Sequence, residues 1–233
     1  MQMIQKQARV AGLLYLLVLL SAPIGLIYVP SRLYAPHDAT LTAANIRASN
    51  ELLRIGIVSE LLHQILFVFL VLARYGLFKT VNKTHARQVV ILGALVSVPI
   101  VFVNVLNEMA ALFLARGTDF ATAFDRRQLD ALTLLFMQLH GQGINVVSIF
   151  WGLWLFPFGL LVIRSVFIPR ILGFLLLLAG TGYLVSSSTT LLLPNYESIV
   201  DSIEGIAEFG ELPIIFWLLI AGASIPASEK LIA

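Results

Sequence analysis

The stretch RVAGLLYLLVLLSAPIGLIYV, residues 9–29, decides the fold class. After Arg9 it carries no charge as far as Val29, about 20 residues, enough for one helix to cross a hydrocarbon core of ~30 Å. Lys6 and Arg9 ahead of it imitate a secretion signal, but the apolar region of a signal is roughly 7–15 residues. The run therefore reads as a retained first span.

Five further stretches pass the same length test: Glu51–Phe78, Gln88–Ala115, Leu129–Ile163, Ile171–Leu193 and Val200–Ala223. The fourth is longer than one crossing needs and should tilt or begin outside the bilayer. The sixth is apolar only in its second half. The connections are short, so the expectation is one all-α domain over residues 1–233, a polytopic membrane bundle of about six transmembrane helices. Composition agrees: 12% of residues are charged and 59% hydrophobic, and mean hydropathy is +0.93. A soluble domain carries roughly 25% charged residues, so this chain could not cover a water-facing surface. Its net charge of +2 leaves no room for the basic face that nucleic acid requires. The absence of cysteine removes disulfides, thiolate metal sites and covalently attached haem.

Basic residues give the orientation. With the N-terminus inside, Lys6, Arg9, Arg74, Lys79, Lys83, Arg87, Arg164, Arg170 and Lys230 fall on the cytoplasmic side. Arg32, Arg47, Arg54, Arg116, Arg126 and Arg127 fall outside, so the 15 divide nine to six. That bias predicts both ends in the cytoplasm of a multi-pass protein of the cell's inner (plasma) membrane. In the first outer loop, Asp38 and Thr40 can cap a short helix running through Ile46, placed to connect two spans or to cover what lies beneath.

Polar residues inside the spans mark where a function would sit, because an acid at mid-span costs on the order of 2.5–3.5 kcal/mol. Glu60, His63 and Gln64 share a helical face at i, i+3, i+4, and Asn104, Asn107 and Glu108 repeat that spacing. Gln138, Gln142 and Asn145 share another face, from which His140 points away. Tyr183 heads a stripe with Ser186, Ser187 and Thr190. Asp201, Glu204, Glu208 and Glu211 run down the last span, and Pro213 should free a backbone carbonyl one turn back. At ~1.5 Å per residue, Glu60, His140, Glu208 and Glu211 lie roughly 12–17 Å in from the outside, and Glu108 near the outer end. The cytoplasmic halves are almost purely aliphatic and aromatic. This segregation implies an acidic polar cavity open to the outside.

Such a cavity would bind or transport a small polar or cationic ligand. An alternative is a metal-dependent membrane enzyme acting on a lipid-derived substrate, with Glu60, His63, Glu108 and His140 as ligands, since Glu-x-x-His is a spacing by which helical bundles hold metals. A single such pair is weak support: no HExxH motif and no G-x-S-x-G elbow occurs, and no metal or other cofactor is expected. A third alternative is a non-catalytic accessory protein in which Asn and Gln fix helix packing.

Several motifs occur in a familiar order: Arg9-Val-Ala-Gly-Leu-Leu-Tyr-Leu-Leu, Asp38-Ala-Thr with Ala43-Ala-Asn-Ile, Arg54-Ile-Gly-Ile-Val-Ser-Glu-Leu-Leu, Leu139-His140, Pro169-Arg-Ile-Leu-Gly and Leu193-Pro-Asn-Tyr196. Together they resemble the bacterial and archaeal six-span family known as domain of unknown function four-three-eight-six, over nearly the whole chain. The resemblance implies the fold and points to Glu60, His140, Tyr183, Asn195, Tyr196 and Glu211. Trp154 stands where it implies a histidine, which weakens a histidine-ligand reading. It implies no activity.

Overall fold

The computed structural model describes residues 2–117, 123–196 and 209–223. Among these residues the structure is helical throughout. We number the helices α1 (Gln2–Leu33), α2 (Ala39–Ala48), α3 (Asn50–Phe78), α4 (Lys83–Arg116), α5 (Arg126–Arg164), α6 (Arg170–Leu192) and α7 (Phe209–Ile220). Of these, α1, α3, α4, α5 and α6 are long and apolar enough to cross a membrane. The protein is thus a multi-pass integral membrane protein of helical-bundle type. Its outward residues fit lipid rather than water: Leu20 is 61% exposed, Ile27 65%, Leu95 65% and Ile220 75%.

Helix ends follow local chemistry. The Asp38 carboxylate accepts from the Leu41 amide at 2.8 Å and starts α2, as the loop sequence predicts. Asn82 caps α4 through the His85 amide at 2.9 Å. Asp125 and Gln128 form a reciprocal capping box at the start of α5, both bonds 2.9 Å. Gly117, with φ of 67°, ends α4 in the left-handed region open to glycine.

Some boundaries move. The first helix begins at Gln2, so Lys6 and Arg9 lie on it rather than ahead of it. Following Pro23, which lacks an amide proton, α1 winds as a π-helix from Ile24 to Tyr28. The sixth span is described only as the short α7, because residues 197–208 lie outside the described set. Pro213 is there the second residue of the α-helical segment Leu212–Ile220, following a 3-10 turn. Its missing N–H belongs to the first turn, which has no partner to lose, so it does not break a helix interior as the sequence suggests.

Packing groups the chain into two compact units: residues 18–65 with 99–144, and residues 1–17, 66–98 and 145–233. In the second unit α5 and α6 meet through glycines. A Cβ at Gly152, Gly159, Gly173 or Gly180 would stand 2.6–2.8 Å from the carbonyl oxygen of the glycine facing it. Gln5 of α1 clamps the end of α7, donating to the Ala221 carbonyl and accepting from the Ala223 amide, both at 2.9 Å.

Candidate functional site

In the unit of residues 18–65 and 99–144, three spans place chemistry-bearing side chains side by side. Glu60 on α3 is 4% exposed, Glu108 on α4 0% and His140 on α5 6%. The His140 Nε2 lies 3.3 Å from Glu60 Oε1 and 3.9 Å from Glu108 Oε1. Neither approach has hydrogen-bond geometry, and all four carboxylate oxygens are enclosed without a hydrogen-bond partner among the described residues. One ligand atom from each residue lies within 4.8 Å of those of the other two, a spacing that could surround a cation.

Two glycines shape the cluster. A Cβ on Gly25, within the π-helical turn of α1, would come 2.6 Å from Glu60 Cγ. The Glu60 side chain therefore lies against bare backbone. The Asn104 amide occupies the place of a Cβ on Gly143. From there its nitrogen donates to the His140 carbonyl at 2.9 Å and lies 3.2 Å from His140 Nδ1. Asn107 donates to Asn104 Oδ1 at 3.0 Å.

Other residues named from the sequence go elsewhere. His63 is half-buried, with Nδ1 3.1 Å from both the Val18 carbonyl and Ser21 Oγ on α1. It shares a helical stripe with Glu60 but is not one of the three clustered groups. Gln138 is exposed, so the glutamine face of α5 looks away while His140 looks in. Glu208 lies outside the described residues. Tyr183 and Glu211 belong to the other unit, where Tyr183 is half-buried over Gly152 and Glu211 accepts from the Tyr15 hydroxyl. Asn195 and Tyr196 are exposed on a 3-10 turn.

Two buried charges escape the sequence reading. Asp130, in the second turn of α5, is buried and paired with Arg47 at 2.8 Å and Arg126 at 3.4 Å. Arg74, counted as a cytoplasmic flank, is 1% exposed. Its guanidinium carbon lies 3.8 Å from the Tyr15 ring centre, 4.1 Å from that of Phe158 and 4.5 Å from that of Trp154. Removing it from the basic residues at the surface leaves eight against six. Within this aromatic cage Trp154 and Phe158, one turn apart, are stacked in parallel at 5.6 Å.

The family model described as Domain of unknown function (DUF4386) matches residues 10–222. The chain belongs to this family. An uncharacterised protein of Archaeoglobus fulgidus is 34% identical over 79 residues, which is 34% of this chain and 46% of that one. The chain thus matches under half the length of that relative. No solved structure matches. Membership agrees with the order of motifs in the sequence, and the family description, like the relative's, carries no activity.

Proposed function

We propose that this membrane protein binds, and in a transport cycle carries, a small cation at Glu60, Glu108 and His140. One observation supports the reading above the others: two enclosed carboxylates lie together with one imidazole beside them. Burying two ionised carboxylates costs several kcal/mol each unless charge and hydrogen bonds are supplied. A neutral imidazole turns an N–H toward them but adds no charge, and a bound cation would supply it. In this reading the membrane is the cell's inner (plasma) membrane, and the basic-residue bias supports an orientation with this cluster in the outer half of the spans.

Thermal unfolding of purified protein in detergent tests the reading, with sodium, calcium or methylammonium chloride compared with choline chloride at equal ionic strength. At a hundredfold excess over Kd the preferred cation should raise Tm by about 5 °C, and Glu108→Gln should abolish the shift. If none of the three separates from choline, the cluster holds no cation. Full enclosure of Glu108 favours a second reading, an accessory protein whose polar groups fix helix packing. That reading gains if the wild type itself unfolds identically in all four salts.

A further inference from the structure

The cation reading leaves open which cations the cluster accepts, and the hydrogen bonds behind His140 bear on this. A carbonyl oxygen only accepts, so the 2.9 Å contact from Asn104 to the His140 carbonyl fixes which end of the amide is nitrogen. The 3.0 Å bond from Asn107 to Asn104 Oδ1 fits the same orientation. Gly143 gives the amide its place, because the amide fills the volume a Cβ would take there. The same amide nitrogen stands 3.2 Å from His140 Nδ1. A donor there requires a lone pair on Nδ1, and in a neutral imidazole the proton then sits on Nε2. Nε2 is the atom turned toward Glu60 Oε1 and Glu108 Oε1, both acceptors. Both sides of the ring therefore agree.

We infer that Asn104 sets the ion preference of the cluster by holding His140 with its proton on Nε2, so that a cation meets carboxylate oxygens and no imidazole lone pair. The inference rests on the cation reading above. It selects hard, oxygen-seeking cations, an alkali or alkaline-earth ion or a protonated amine, over zinc and its neighbours. A histidine that binds a transition metal through Nε2 donates its Nδ1 proton to an acceptor behind it. Here that position holds an amide N–H. Turning the amide over would set Oδ1 against the His140 carbonyl, two acceptors 2.9 Å apart.

The test uses the full chain in detergent. Long-range proton–nitrogen correlation on 15N-histidine protein, with His140 assigned by its loss in His140→Gln, should show Nε2 protonated and Nδ1 bare. Zinc titration should find no stoichiometric site in the wild type. Asn104→Asp, which offers an acceptor to Nδ1, should bind zinc about 10–100-fold more tightly than the wild type. A protonated Nδ1 in the wild type overturns the inference. So does one zinc per chain that is lost in His140→Gln, a result that leaves cation binding itself intact. If Asn104→Asp does not fold, the wild-type spectrum and zinc titration decide alone. The expected tautomer with no stabilisation by sodium, calcium or methylammonium overturns the ion preference together with the cation reading, and leaves Asn104 a packing residue.

Discussion

Arg74 and the pair Glu60 and Glu108 are all charges taken out of water, but their surroundings differ in kind. Arg74 has ring centres 3.8, 4.1 and 4.5 Å from its guanidinium carbon, supplied by three aromatic side chains. Aromatic faces carry negative potential, so each can contribute up to about 2 kcal/mol to a desolvated cation. The flat guanidinium suits such stacking, although its edge N–H groups meet no acceptor among the described residues. The carboxylates have no comparable support, since ring faces repel anions and, among the described residues, the side chain within 4 Å of both is the His140 imidazole. A buried cation can be satisfied by apolar-looking side chains, whereas a buried anion needs donors or a counter-ion. That difference is why the acidic cluster, and not the arginine, carries the functional proposal.

The largest expected effect would come from dismantling the cage. Trp154→Ala should cost about 3–5 kcal/mol of stability, read by chemical unfolding in detergent, and Trp154→Phe should recover most of it. A loss below about 1 kcal/mol for the alanine variant would mean that the rings do not support the charge. On the acidic side, His140→Leu should cost about 3 kcal/mol, because two carboxylates lose their shared partner. Glu60→Gln should stay within about 1 kcal/mol, since it removes charge while keeping a hydrogen-bonding group. Equal losses in these two variants would make the residues separate packing contacts.

Gly143→Ala should fall between these, at about 1–3 kcal/mol, because the new methyl must displace the Asn104 amide. A neutral result would show that the amide has somewhere else to go. The smallest effect concerns orientation. Lys83→Cys and Arg127→Cys, both at exposed positions, should leave stability within about 0.5 kcal/mol. In a chain without cysteine, an impermeant reagent applied to intact cells should label position 127 and spare position 83. Labelling of position 83 would invert the topology.

The spans were legible because lipid imposes a length and a composition on any helix that crosses it. The structure places α3 and α6 within one residue of the sequence boundaries at each end. Glu60, Glu108 and His140 were legible as buried polar groups, but their grouping was only half visible. Helical spacing tells which residues share a stripe, not which stripe looks inward when both are polar. On α5 the glutamines and His140 offered two such faces, and only packing chose between them. On α3, His63 and Glu60 are three residues apart, yet the ring turns to Ser21 and the Val18 carbonyl. Arg74 was missed for a different reason. Tyr15 on α1 and the pair Trp154 and Phe158 on α5 are distant in sequence from Arg74 and from each other, and no local pattern signals a cage assembled across three helices.

The facing glycines of α5 and α6 have a mechanical consequence. With backbone against backbone at Gly152 and Gly180, and again at Gly159 and Gly173, the two helices interlock at two levels, two turns apart. Leu177, Leu184 and Ile163 flank these contacts, but the carbonyl oxygens themselves stand at the point of closest approach and cannot swing aside as a side chain can. Axial travel of one past the other would drive Cα hydrogens into carbonyl oxygens at both levels at once. The pair therefore behaves as a single rigid post, and any rocking that the protein undergoes must carry these two segments together and bend elsewhere.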